Sequence, residues 1–112
     1  QVIMNLMTNA RDALNEKYPE YNEDKKLIVT CEKFIKAETE RVRIIIEDHG
    51  NGVPKEIQEN IFDPFFTTKE RDKGTGLGLS ISYGIVKEHG GDLYFETEEG
   101  KYTKFYVELP VE

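Results

Sequence analysis

The sequence predicts one small α+β domain, and three observations support that fold class. Two segments repeat their apolar residues with the period of an amphipathic helix, and four shorter segments have the alternation and β-branched residues of strands. The strand segments form two pairs, each joined by a short turn. With 112 residues, of which 38% are apolar, the chain can build one hydrophobic core but not two.

The first helix is predicted over residues 1–17, where apolar residues form one stripe: Val2, Ile3, Leu6, Met7, Ala10, Ala13 and Leu14. Polar residues spaced four, three and four positions apart stack as a second stripe beside it: Asn5, Asn9, Asp12 and Glu16. Pro19 ends the helix, because proline cannot continue the helical hydrogen bonds and disfavours helix at the residue before it.

Residues 26–36 and 41–48 are predicted as a strand hairpin, followed by a glycine-containing loop and a short helix that begins near Pro54. A second long helix is predicted from about Gly76 to His89, with four residues facing inward: Leu79, Ile81, Ile85 and Val86. The pair Gly90-Gly91 ends that helix. Two final strands, 92–98 and 102–109, join through a glycine turn.

The composition argues against several classes of protein. No apolar run reaches the roughly 20 residues that cross a membrane, and no secretory signal is visible, so direct membrane insertion is not expected. The net charge of −7 argues against nucleic acid as a partner, so a bound polyanion needs a local basic or dipolar site. Cys31 is the only cysteine, which excludes an internal disulfide and fits a reducing compartment.

The strongest functional signal is the glycine-rich run that leads into the second helix, with glycine at every second position: Gly74, Gly76 and Gly78. Glycine lets a backbone approach a ligand closely, and a loop before a helix offers unpaired N–H groups and the positive end of the helix dipole to an anion. The run matches neither the P-loop nor the dinucleotide-binding pattern. It predicts a different phosphate cradle, for which a plain turn is the alternative.

Four motifs stand in order along the chain: Asn5-Leu6-Met7-Thr8-Asn9-Ala10, Asp48-His49-Gly50-Asn51-Gly52, Phe62-Asp63-Pro64-Phe65-Phe66-Thr67-Thr68-Lys69 and Gly74-Thr75-Gly76-Leu77-Gly78-Leu79. They resemble the N-box, first glycine box, F-box and second glycine box of the ATP-binding catalytic domain of sensor histidine kinases, in the nitrogen-regulation form. That family shares its nucleotide-binding fold with gyrase, the mismatch-repair MutL ATPase and a heat-shock chaperone. The resemblance covers nearly the whole chain.

The resemblance implies a Bergerat-type two-layer sandwich, in which helices cover one face of a mixed, mostly antiparallel sheet. It implies one catalytic domain over residues 1–112, truncated at its N-terminus and without the phosphoacceptor dimerisation domain. It also implies ATP and Mg²⁺ as ligands, phosphorylation of a histidine on that separate dimerisation domain, and a response regulator as downstream partner. The expected location is the cytoplasm, whether or not the parent protein is anchored in a membrane.

The first motif supplies three candidate site residues. Asn9 offers an amide oxygen, a hard ligand for Mg²⁺, which keeps its waters and needs few protein ligands besides the phosphates. Asn5 stands where hydrolytic relatives have a glutamate, and since an amide cannot act as a general base, transfer is favoured over hydrolysis. Asp12 matches a carboxylate near the nucleotide in the heat-shock chaperone, with a surface aspartate as the alternative.

Asp48 carries the predicted base specificity, because its carboxylate can accept a hydrogen bond from the adenine amine, which guanine lacks at that position. Gly50 and Gly52 let the backbone pass under the base without a Cβ. Lys69 is the best cation for a phosphate contact and completes the predicted catalytic set with Asn5 and Asn9. Further nucleotide contacts are implied at Val53, Phe62, Gly74, Thr75, Gly76, Leu77, Gly78 and Leu79.

Thr103 belongs to a weaker fifth match, to a glycine-threonine box in which Tyr102 here replaces the glycine. It is a further candidate for nucleotide contact.

Two rival functions remain open, an ATP-binding regulatory module and an ATPase of the gyrase type. Asn5 and the form of the F-box argue against the ATPase, whereas the regulatory module stays open because the acceptor histidine lies in another domain.

Overall fold

Helices and strands follow one another as the sequence predicts. The computed structural model describes residues 2–63 and 78–111. In chain order they form helix α1 (Val2–Lys17), strands β1 (Leu27–Lys36) and β2 (Thr39–Asp48), a 3₁₀ helix (Lys55–Asn60), helix α2 (Gly78–Glu88), and strands β3 (Asp92–Glu98) and β4 (Tyr102–Pro110). The predicted elements are confirmed, with ends displaced by no more than two residues where both ends are described, whereas the predicted start of α2 near Gly76 lies outside the described residues.

The four strands form one sheet in the order β1-β2-β4-β3. The sequence predicts a mixed, mostly antiparallel sheet, and the pairs among the described strands are all antiparallel. Two tight hairpins explain the β1–β2 and β3–β4 pairs, since short turns can join only antiparallel neighbours, and β2 pairs with β4 between them. In the first hairpin Ala37 and Glu38 have φ angles of 51° and 64°, the left-handed conformation that a two-residue turn requires.

Both helices lie on one face of this sheet, as predicted for the α+β sandwich. Helix α1 packs on β2, while α2 packs on β3, β4 and α1. Between the two layers lies one hydrophobic cluster of buried residues: Leu6, Ala10, Ile46, Ile61, Val86, Leu93, Phe105 and Val107. Burying a large aliphatic side chain contributes about 1.5–3 kcal/mol, so this cluster is the main stabilising feature of the described fold.

The inward face of α2 differs from the prediction at one position. Ile81 is 43% exposed, whereas Ser82 beside it is fully buried. The buried line of α2 runs through Leu79, Ser82 and Val86, which are spaced three and four residues apart on one helical face. Ile81 lies at least about 100° around the helix from each of these residues, so the prediction that it faces inward is wrong.

Strand β1 forms one edge of the described sheet and is poorly covered. Helix α1 lies over β2, so the side chains of β1 that point to the helix side have no helix above them in the described residues. Val29 is 51% exposed and Ile35 74% exposed as a result. Among the described helices, none has the length and apolar character needed to cross a membrane.

Candidate functional site

The polar stripe of α1 is held at both ends by other parts of the chain. Asn5 Nδ2 donates a hydrogen bond to Ser82 Oγ of α2 at 3.2 Å. Three turns further along, Glu16 Oε1 accepts a hydrogen bond from Asn51 Nδ2 at 3.4 Å. The stripe therefore faces α2 at one end and the loop after β2 at the other.

Asn9 and Asp12 occupy the middle of this stripe, and both are partly buried. Asp12 Oδ1 lies 3.4 Å from Arg11 Nη2. The candidate metal ligand and the candidate carboxylate thus lie on α1 between its contact with α2 and its contact with the loop after β2. No cluster of three or more His, Cys, Asp or Glu that could hold a metal occurs within residues 2–63 and 78–111. Magnesium bound there would rely on Asn9, water and phosphate, which fits its chemistry.

Asp48 is the buried carboxylate of the site. It ends β2 with 3% exposure, and its Oδ1 accepts the N–H of Gly50 at 2.9 Å. Burial raises the pKa of Asp48 to about 6, although the hydrogen bond from Gly50 opposes that shift. In the described part of the chain this N–H is the one donor to Asp48. A buried carboxylate with spare acceptor capacity favours a ligand that donates hydrogen bonds.

Thr103 lies directly across from Asp48 in the sheet. The two residues are register partners on β4 and β2, and both are buried against the helix side, Thr103 with 5% exposure. Directly opposed residues in antiparallel strands have Cβ atoms about 5 Å apart. Although Tyr102 replaces the glycine of the motif, Thr103 therefore stands beside the carboxylate.

The loop after β2 fits closely under α1 and against the β3–β4 turn. A Cβ on Gly50 would lie 2.9 Å from Ala13 Cβ, and a Cβ on Gly52 would meet the carbonyl oxygen of Glu98. Gly52 also has a φ of 72°, which side-chain-bearing residues rarely adopt. The sequence predicts that these glycines let the backbone pass under the base. In the structure, packing against other parts of the protein also requires glycine at both positions.

Lys17 fixes this loop from the end of α1. Its Nζ donates to the carbonyl oxygen of Gly100 at 2.8 Å and to that of Gly50 at 3.3 Å. The N–H of Val53 donates to Thr97 Oγ1 at 3.0 Å. These hydrogen bonds join α1, the loop after β2, β3 and the β3–β4 turn, and together these segments form the floor of the site.

Phe62 and Leu79 lie at the boundary between the site and the core. Both are partly buried and pack against the central cluster, as does Val53. The ring of Phe62 lies 5.1 Å from that of Tyr83 and 5.9 Å from that of Phe95. The structure places these candidates in core contacts.

Five further candidates lie outside the described residues: Lys69, Gly74, Thr75, Gly76 and Leu77. Gly78 is the first residue of α2. The predictions for the glycine loop and for the lysine therefore stay predictions.

Three residues of the site were missed by sequence reasoning: Lys17, Ser82 and Thr97. Ser82 stands on the buried line of α2, so the helical phase of Leu79 and Val86 was the signal that could have found it. Lys17 and Thr97 carry no such signal, since they act on segments distant in sequence.

A family model described as "Histidine kinase-, DNA gyrase B-, and HSP90-like ATPase" matches residues 1–112. Sensor kinase CckA of Brucella abortus is 43% identical over 114 residues, covering 98% of this chain and 12% of that protein. Sporulation kinase E of Bacillus subtilis is 39% identical over 111 residues, covering 99% of this chain and 13% of that protein. The chain thus spans about an eighth of these relatives.

Among solved structures, a nucleotide-free form of the catalytic domain of histidine kinase ThkA matches with a TM-score of 0.75 and 38% identity. The match covers 98% of this chain and 64% of that one.

Proposed function

Because the chain belongs to the histidine kinase-, DNA gyrase B- and HSP90-like ATPase family, as an ATP-binding catalytic domain of the sensor histidine kinase type, we propose that it is a kinase. It transfers the γ-phosphoryl group of ATP to a histidine on a separate dimerisation domain. A response regulator then receives the phosphoryl group, and both steps take place in the cytoplasm.

The observation that carries this proposal is the pairing of Asp48 with Thr103 at the floor of the site. Asp48 is buried, ends a central strand and offers acceptor capacity beyond its bond from Gly50. Adenine presents an amino group to such an acceptor, whereas guanine presents a carbonyl oxygen and leaves the carboxylate unpaired. A buried site that is built to receive a hydrogen bond strongly rejects a ligand that cannot donate it.

The phosphates are proposed to lie between the α1 stripe and the glycine-rich run that leads into α2. Asn9 would hold Mg²⁺ through its amide oxygen, and the ion would supply positive charge against the phosphates. Lys69 and the N–H groups from Gly74 to Gly78 neutralise their charge. Catalysis in this scheme consists of positioning and charge stabilisation, as in other phosphoryl transfers.

Transfer is favoured over hydrolysis because the position of Asn5 offers no base. An amide does not take up a proton at neutral pH, and here its nitrogen donates to Ser82. Without a base to activate water, the acceptor has to come from outside the site. This supports the kinase over an ATPase of the gyrase type.

The test mixes the chain with the dimerisation domain of its parent protein and ATP labelled on the γ-phosphate. We expect acid-labile label on the dimerisation domain, and its loss in Asp48→Ala. Asp24→Ala is the matched control, since Asp24 is an exposed aspartate in the loop before β1. Binding of ATP without transfer would favour the regulatory module, and release of labelled phosphate by the chain alone would favour the ATPase.

A further inference from the structure

The hydroxyl of Thr97 on β3 makes three hydrogen bonds in the floor of the site. Its Oγ1 donates to the carbonyl oxygen of Tyr102 at 2.7 Å and accepts the N–H of Val53 at 3.0 Å. It also lies 3.0 Å from Oγ1 of Thr103. A hydroxyl has one proton to donate and two lone pairs to accept with, so these three bonds use the full capacity of Thr97.

The direction of the bond between the two hydroxyls follows from this count. The carbonyl oxygen of Tyr102 can only accept, so it takes the single proton of Thr97. The proton shared with Thr103 must therefore belong to Thr103. Its hydroxyl points toward Thr97, and the Thr103 oxygen turns only lone pairs toward the rest of the site.

The neighbour of Thr103 is also a hydrogen-bond acceptor. Asp48 stands opposite Thr103 in the strand register, and its ionised carboxylate can only accept. The floor beneath α1 thus presents two adjacent acceptors and no side-chain donor from this pair. Such a pair of acceptors suits the 6-amino group of a purine, which has two N–H bonds to donate, and disfavours a 6-oxo group, whose oxygen can only accept.

We propose that Thr97 is a positioning residue for base selection: by holding the proton of Thr103, it keeps the floor of the base site acceptor-only and selective for a 6-amino over a 6-oxo purine. This rests on the proposed function, in which Asp48 and Thr103 receive the adenine base. Thr97 acts through Thr103 and does not touch the base itself.

The test measures calorimetric affinities of ATP and of inosine triphosphate, which carries a 6-oxo group in place of the amine and a proton on N1. Thr97→Val removes the hydroxyl at nearly constant volume and lets Thr103 turn its proton toward the ligand. We expect the preference for ATP to fall about three- to tenfold, the range of one neutral hydrogen bond. Thr97→Ser keeps the hydroxyl and is expected to retain the preference. If Thr97→Val weakened both nucleotides by one common factor, the role would be structural and the proposal would be overturned.

A second variant covers the case that Thr97→Val does not fold, since it leaves the N–H of Val53 and the carbonyl of Tyr102 without their partner. Thr103→Val keeps both of those bonds and removes the acceptor that Thr97 orients. It should also reduce the preference for ATP, because the acceptor beside Asp48 is then absent. An unchanged preference in Thr103→Val would overturn the proposal.

The base site and the role of Thr97 can be tested separately. If the unsubstituted chain bound ATP and inosine triphosphate equally, the base site itself would be wrongly assigned. If it preferred ATP, and Asp48→Ala but neither threonine variant removed that preference, the base site would stand and the role of Thr97 alone would be refuted.

Discussion

Asp48 Oδ1 accepts the backbone N–H of Gly50 at 2.9 Å, two residues further along the chain. This bond turns the chain sharply at the end of β2 and brings Gly50 under α1, where a Cβ would also lie 2.9 Å from the same Asp48 oxygen. One short contact therefore holds the buried carboxylate and shapes the loop beside it.

The buried charge of Asp48 should destabilise the fold at neutral pH. Its pKa is raised from 3.8 to about 6, so the folded state holds the proton more tightly than the unfolded state does. The resulting stability is fully present below pH 4 and is lost as the pH rises through 6. Asp48→Asn keeps an oxygen for Gly50, so at pH 7 it should be more stable than the wild type by about 2–3 kcal/mol, a gain that shrinks toward pH 4. Urea unfolding at both pH values measures this, with Asp24→Asn as the exposed control; equal effects of the two variants would contradict the prediction.

The same titration should appear in ligand binding. An ionised carboxylate is the stronger hydrogen-bond acceptor, so adenosine affinity should decrease as the pH falls from 7 to 5, with a midpoint near 6. Adenosine is the ligand of choice because it carries no phosphate that titrates in this range. Asp48→Asn should bind adenosine more weakly and without this pH dependence. A pH profile that persists in Asp48→Asn would assign the titration to another group.

The effect of Mg²⁺ on ATP affinity should depend on Asn9. Asn9→Ala removes the proposed metal ligand, so the gain in ATP affinity on adding Mg²⁺ should largely disappear, while adenosine binding stays nearly unchanged. Calorimetry with and without the metal separates the two effects. Asn15→Ala, on the exposed side of α1, is the matched control. Equal losses for adenosine and Mg-ATP would make Asn9 a structural residue.

The glycines of the chain allow packing and backbone strain to be separated. Gly52→Ala combines a positive φ with a clash against the backbone of Glu98, and it should destabilise the fold by about 2 kcal/mol or more. Gly100→Ala has a φ of 84° but open space around it, so it should cost only about 1 kcal/mol. Gly84→Ala, inside α2 with open space, should stabilise by about 0.5–1 kcal/mol. Denaturant unfolding measures all three, and a Gly100→Ala cost equal to that of Gly52→Ala would refute the packing component.

The bond between Asn5 and Ser82 should couple the two helices. Asn5→Ala leaves the fully buried hydroxyl of Ser82 without this donor and should cost about 1 kcal/mol of stability. In a Ser82→Ala background the cost of Asn5→Ala should nearly vanish. Additive costs in the double variant would show that the contact contributes nothing to stability.

Much of the fold was readable from the sequence because local rules and long-range packing agree along most of the chain. The stripe of α1, the hairpins and Pro19 each follow from spacing, turn residues or backbone restrictions, and the structure confirms them. Ile81 shows the limit. Its hydrophobicity suggested an inward position, but the packing of Leu79 and Val86 sets the phase of α2 and buries Ser82 instead, where Asn5 of α1 donates a hydrogen bond to it.

The sequence by itself determined the motifs, and hence the chemistry available: an amide oxygen for a metal, a carboxylate at a strand end and a glycine-rich run before a helix. Only the tertiary structure decided which side chains work together. Thr97, Thr103 and Val53 lie on separate segments, and the antiparallel register of β3 and β4 brings the two threonine hydroxyls within 3.0 Å. The reason is physical: the direction of a hydrogen bond depends on the partners that surround a hydroxyl, and those partners come from parts of the chain that meet only after folding.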